Sequence, residues 1–172
     1  MPNHCDQQVY LSGPHNLLLA IWEELTSDNP KLLQLIKPMP FEAYKDVPDT
    51  LTPNWYDWRI DNWGCKWDIA DIDGVQSSFD NLPAAITGKK EEKSWVSYNC
   101  WTAWGPPIPV WQAMHDLGIE VDADYQDEGG MFEGHWENGI DDNWDPDEGE
   151  DIDDDDIEMN LDIDVEEMCD QP

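Results

Sequence analysis

Apolar and polar positions alternate or recur in a way that marks out elements along most of the chain. "QQVYLSG" (Gln7–Gly13) reads as a short strand ending in a glycine turn. In "PHNLLLAIWEEL", Leu17, Leu18, Ile21, Trp22 and Leu25 recur at helical spacing, with Glu23 and Glu24 on the other face. "KLLQLIKP" (Lys31–Pro38) is a second, shorter helix that stops at proline, and "PMPFEAYKDVPDTLTP" is a proline-punctuated loop. In "NWYDWRIDNWG", Trp55, Trp58 and Ile60 share a helical face and Gly64 ends the turn; "CKWDIADI" then reads as a strand. "LPAAITGKKEEK" (Leu82–Lys93) is a charged surface excursion. "SWVSYNCWTA" sets Trp95 and Ser97 against Val96, Tyr98 and Cys100, the pattern of a half-buried strand. "WGPPIPVWQAMHDLG" predicts a turn and a helix with proline in its first turn and Gly118 as its stop. "IEVDADYQ" (Ile119–Gln126) alternates apolar and acidic residues, and Gly129-Gly130 turns the chain into a hairpin partner, "MFEGHWENG".

The predicted order is strand, helix, strand, strand, helix, strand, with one more strand after. This is the split βαββαβ pattern, so the expected fold class is α+β: a ferredoxin-like antiparallel sheet backed by helices. The expected domain spans residues 1–138, followed by an acidic C-terminal extension at 139–172.

Within that extension the pattern changes again. Ile157, Met159, Leu161, Ile163 and Val165 alternate with Glu158, Asn160, Asp162, Asp164 and Glu166. A strand repeats same-face side chains every ~6.6 Å, so residues 157–165 would form an added strand with one apolar and one acidic face. Such a strand fits a sheet edge on this protein, on a second copy as a homodimer, or on a partner. The plainer reading of the segment is a solvated acidic tail.

Charge sharpens this picture. The formal net charge is −32 over 172 residues. Residues 1–93 hold 15 acids and all 8 bases, while residues 94–172 hold 25 acids and no base. Such a field repels nucleic acid and anionic membranes, so neither is expected as a direct partner; it attracts cations and basic surfaces. Cys5, Cys65, Cys100 and Cys169 are widely spaced, and the N-terminus "MPNHCDQQVYLSG" has no signal-peptide pattern, so the expected setting is the cytoplasm with reduced thiols.

The residue types that carry chemistry argue mostly against catalysis. The 11 tryptophans could stack bases or sugars, but base stacking comes with a positive groove, and Arg59 and Lys66 are the only bases near the aromatic centre. Core packing explains them better. The adjacent pair His4-Cys5 is poorly spaced for chelation, and no short paired spacing suggests zinc. No register of Asp141–Glu158 meets the requirements of an EF-hand loop. Neither a nucleophile–base pair nor a phosphate loop is present. The expectation is no enzyme, no cofactor and no metal site.

Five motifs then carry a family resemblance: "MPNHC" at the start, "IKPMP" at Ile36–Pro40, "WYDWRIDNWGCKWD" at Trp55–Asp68, "TAWGPPIPV" at Thr102–Val110 and "YQDEGGMFEG" at Tyr125–Gly134. In that order they resemble the YubB-like family, ferredoxin-like-domain proteins of phages and conjugative plasmids. The resemblance covers roughly residues 1–138 and leaves the acidic extension uncovered. It implies a ferredoxin-like fold, a mobile-element origin and no iron–sulfur cluster, and it transfers no catalytic residue. Cys65 stands where the family's "NWGTKW" motif has threonine.

Charge, its concentration after Lys93 and the resemblance together give the functional expectation. It is a phage- or plasmid-encoded anti-defence inhibitor that acts in the host cytoplasm as a DNA mimic. The expected partner is a host nucleic-acid-binding protein, of the restriction or CRISPR type, whose basic groove it fills. The expected contact residues are Glu120, Asp122, Asp124, Glu133 and Glu137 in the domain. From the extension they are Asp151, Asp153, Asp154, Asp155, Asp156, Glu158, Asp162, Asp164, Glu166 and Glu167. Two alternatives stand beside it: an assembly module that uses the alternating tail for strand addition, and a small ligand-binding protein or enzyme built on Trp58, Trp63 and Trp104.

Overall fold

The computed structural model describes residues 3–40, 43, 54–79 and 93–144. Elements follow in the order β1 (His4–Gly13), α1 (His15–Leu25), α2 (Leu32–Ile36), α3 (Trp55–Trp63), β2 (Ala70–Ser77) and β3 (Ser94–Ala103). They continue with α4 (Ile108–Asp116), β4 (Glu120–Asp127), β5 (Glu133–Glu137) and β6 (Ile140–Trp144). The fold is α+β: one 6-stranded sheet in the order β2-β3-β1-β4-β5-β6, with every neighbouring pair antiparallel.

Period-two burial divides the sheet into two faces. Cys5, Gln7, Val9 and Leu11 of β1, Val96, Tyr98, Cys100 and Thr102 of β3, and Val121, Ala123, Tyr125 and Asp127 of β4 are buried. The helices cover this face: Leu18, Ile21 and Leu25 of α1, Leu32 and Leu33 of α2, Trp63 of α3, and Val110, Trp111 and Met114 of α4 join the same core. Trp111 and Trp136 pack with ring centroids 6.0 Å apart, and both are almost fully buried. Tryptophans therefore supply much of the core, as their large apolar area favours.

Local chemistry fixes the helix ends. The Asn54 side chain accepts from the backbone N–H groups of Tyr56 and Asp57 and caps α3. Gly64 closes α3 at φ 79°, and a Cβ there would sit 3.0 Å from the Pro106 carbonyl oxygen, so glycine is required. The Asp68 carboxylate accepts from the N–H groups of Leu33 and Gln34 at the start of α2 and from Ile69. Burial raises its pKa above the usual carboxylate value, against the lowering effect of those three bonds.

The structure revises several sequence expectations. Strand β2 begins at Ala70, so Cys65–Ile69 is not strand: Cys65 and Ile69 are buried, but the stretch between them bends to bring Asp68 to α2. Register shifts between Ala70 and Asp73 and between Asp73 and Gln76 then bulge β2 twice. Past residue 138 the sheet continues: Asn138 and Gly139, at φ 47° and 97°, form a tight turn that pairs β6 with β5. Sequence alternation suggested one strand after β4, and there are two. The proposed strand at 157–165 lies outside the described residues.

Candidate functional site

On the face opposite the helices, the alternate residues of the same strands are mostly polar, with Tyr10, Trp95 and Trp101 among them. One register row crosses the whole sheet: Asp73, Asn99, Gln8, Asp124, His135 and Asp142 lie opposite one another in turn. Neighbouring strands lie ~4.8 Å apart, and same-face residues recur every ~6.8 Å along an antiparallel strand, so the side chains form a grid. A flanking row carries Trp101, Asp6, Gln126 and Glu133. The row on the other side carries Tyr10, Asp122 and Glu137. Between β2 and β6 the face forms a shallow trough of about 800 Å³, with Asp6, Asp71, Asp73, Asp124, Glu133 and Asp142 among its lining residues.

These carboxylates are held by neighbours, most of them neutral. The Trp101 Nε1–H donates to Asp71 at 2.7 Å, and the Asn99 side-chain amide donates to Asp73 at 2.7 Å. The Gln126 amide donates to Glu133 at 3.2 Å, and the Ser12 hydroxyl donates to Glu120 at 2.6 Å. A neutral donor fixes a carboxylate's orientation without cancelling its charge. Two positions differ. Lys93 pairs with Glu120 at 2.6 Å, and its hydrogen bond, with that of Ser12, pulls the Glu120 pKa below the ordinary value. The His135 Nδ1 lies 2.8 Å from Asp124, and its Nε2 lies 3.9 Å from Asp122. The Asp124 hydrogen bond, with charge from Asp122, Asp124 and Glu137, raises the His135 pKa above 6.5.

Of the contact residues expected from sequence, Glu120, Asp122 and Asp124 alternate along β4, and Glu133 and Glu137 stand opposite them on β5. All five share the open face. Asp151, Asp153, Asp154, Asp155, Asp156, Glu158, Asp162, Asp164, Glu166 and Glu167 lie outside the described residues. Sequence reasoning missed Asp6, Asp71, Asp73 and Asp142, which join the same face. Asp6 fell just before the strand read at Gln7–Gly13; the structure extends that strand back to His4, where Asp6 alternates with the buried Cys5 and Gln7.

Other candidates acquire definite places. Trp63 is buried in the core, Trp58 packs against it with centroids 5.9 Å apart, and Trp104 is 40 % exposed elsewhere in the aromatic cluster. Cys5, Cys65 and Cys100 are buried and free; burial pushes the Cys5 thiol up to about 12 and raises the other two further. Such thiols stay protonated and unreactive at neutral pH. Among the described residues, no group of His, Cys, Asp and Glu is placed to hold a metal ion, and no helix is long and apolar enough to cross a membrane.

Comparison with known proteins finds no matching family model, no matching curated protein and no matching solved structure.

Proposed function

We propose that this protein is a DNA mimic: a phage- or plasmid-encoded anti-defence inhibitor that fills the basic nucleic-acid groove of a host restriction or CRISPR protein in the host cytoplasm. One observation carries the proposal. Asp6, Asp71, Asp73, Asp122, Asp124, Glu133, Glu137 and Asp142 share one open sheet face, and most of those with a side-chain partner are held by neutral donors. DNA presents a phosphate charge every ~3.4 Å along each strand. A rigid grid of carboxylates offers a basic groove a comparable density of negative charge without a flexible chain to order. The acidic segment after β6 would extend this field, and the resemblance to the YubB-like family supports the mobile-element origin.

The fold reading belongs to the same proposal. The order β2-β3-β1-β4, with α1 after β1 and α4 between β3 and β4, suits a ferredoxin-like unit to which the β5–β6 hairpin is appended.

The test is capture from host lysate at low salt, followed by competition. A nucleic-acid-binding protein should be retained, should elute as salt rises, and should be displaced by duplex DNA. Retention indifferent to both salt and DNA would refute the mimicry.

A further inference from the structure

The described part of this acidic chain has one place where cations and aromatics interleave. The Lys66 ammonium lies 5.0 Å from the Trp67 ring centroid, 5.0 Å from that of Trp104 and 5.9 Å from that of Tyr56. These distances are within the range at which a ring face attracts a cation. Among the described residues Lys66 has no carboxylate partner, although the chain carries 40 acids. Among the described residues, the rings hold it.

The cage is built rather than incidental. Trp104 follows β3 directly with φ 79°, a left-handed conformation that a bulky residue rarely adopts, and its N–H donates to the Asn3 carbonyl at 3.0 Å. Trp55 stacks on Trp67 with centroids 5.4 Å apart and meets Tyr56 edge-on. Behind the cage, Arg59 lies 4.9 Å from the Trp63 ring and 5.6 Å from the Trp67 ring, and donates to the Lys66 carbonyl. Yet Trp67 and Trp104 remain 41 % and 40 % exposed. The ring faces that hold Lys66 can therefore be reached from solvent.

We infer that Tyr56, Trp67 and Trp104 form a cation-accepting cage whose resident is Lys66, and that a lysine side chain of a basic partner protein takes its place on binding. The resident ammonium shows which chemistry the rings accept. The chain's net charge of −32 makes a basic partner the complementary one. Trp104 follows the strand whose Trp101 lies on the open face, so the cage stands at the end of β3 where Trp101 pairs with Asp6. The inference rests on the proposed function only in taking the partner to be basic.

A small probe tests the cage separately from any partner. The indole N–H resonances of Trp67 and Trp104 are followed by NMR during titration with tetramethylammonium chloride, with sodium chloride at equal ionic strength as the blank. Lys66→Gln removes the resident and should bind the probe about tenfold more tightly than the unaltered chain, a factor within the range of cation–π contacts. Lys31→Gln removes the same charge from an exposed site and should leave affinity unchanged, which separates cage occupancy from net charge. Adding Trp104→Phe to Lys66→Gln should weaken binding while keeping the ring fold. Equal affinity in the unaltered chain and Lys66→Gln, or an equal gain from Lys31→Gln, would overturn the inference. Either outcome would leave the mimicry proposal standing.

Discussion

Asp122→Asn tests whether the open face is held together against its own charge. Asp122 stands directly opposite Glu137 across the β4–β5 ladder. Directly opposed side chains lie ~5 Å apart, and two like charges at that distance in water repel by about 0.8 kcal/mol. Screening lowers this to about 0.7 kcal/mol at 0.01 M salt and about 0.4 kcal/mol at 0.15 M. The neighbouring Asp124 drops out, because an extended denatured chain keeps residues two apart at a similar ~6.8 Å. The gain must be measured near pH 9, where His135 is neutral. Near pH 5.5 the protonated ring, 3.9 Å from Asp122, adds an attraction of comparable size and opposite sign. Asp122→Asn should therefore raise the melting temperature by about 2 °C at pH 9 and low salt, and by about 1 °C at 0.15 M. Near pH 5.5 the gain should all but vanish. Scanning calorimetry at two salts and two pH values reads all of this. A variant destabilised at pH 9 and low salt, or stabilised equally at both salts, would refute the argument.

Two further outcomes follow from the site's geometry. Asp124→Asn removes the hydrogen bond that contributes most to the raised His135 pKa, so the imidazole should titrate closer to 6.5, as NMR of the ring protons would record. A raised histidine pKa stabilises the fold fully below pH 6.5, and that contribution fades as pH rises through the folded value, so the variant should lose part of its stability below 6.5. Gly134→Ala would press a methyl group onto the Tyr125 hydroxyl and 2.9 Å from the Asp142 carbonyl oxygen. It should cost about 1–3 kcal/mol in thermal unfolding, and Tyr125→Phe in the same chain should recover part of the loss.

The strands that pack the core were legible in the sequence, because burial imposes period two on them. In β3 Val96, Tyr98 and Cys100, and in β4 Val121, Ala123 and Tyr125, recur at every second position, and both strands fall where that alternation places them. The open face was legible only as far as those strands carried it, which is why Glu120, Asp122 and Asp124 were found together. Strand β6 escaped because Ile140, Asp141, Asp142 and Asn143 are all exposed, so no apolar beat marks them. Its signal was the turn instead: Asn138-Gly139 is the dipeptide that a two-residue hairpin favours. Asp71 and Asp73 were hidden for a different reason. The bulges in β2 break its parity, and Asp71 itself sits at φ 47°, so counting residues cannot assign their face. The cage was hidden in the same way, since nothing in "TAWG" announces a tryptophan in the left-handed region.

The placement of the bases gives the acidic face its character. A protein that needed only solubility could scatter lysines among its acids and relieve their repulsion through pairing. Here, among the described residues, Lys93–Glu120 is the only pair formed by a lysine or arginine with a carboxylate. Arg59 and Lys66 are directed into indole faces instead, where they hold the aromatic cluster and neutralise no acid of the sheet. The donors that reach Asp71, Asp73 and Glu133 are an indole and two amides, which orient oxygen atoms while leaving each charge intact. Acidic surface and aromatic cage are thus two sides of one arrangement. Arg59 and Lys66 are withdrawn under rings, Asp71, Asp73 and Glu133 are ordered by neutral groups, and their negative charge stays unneutralised on the open face.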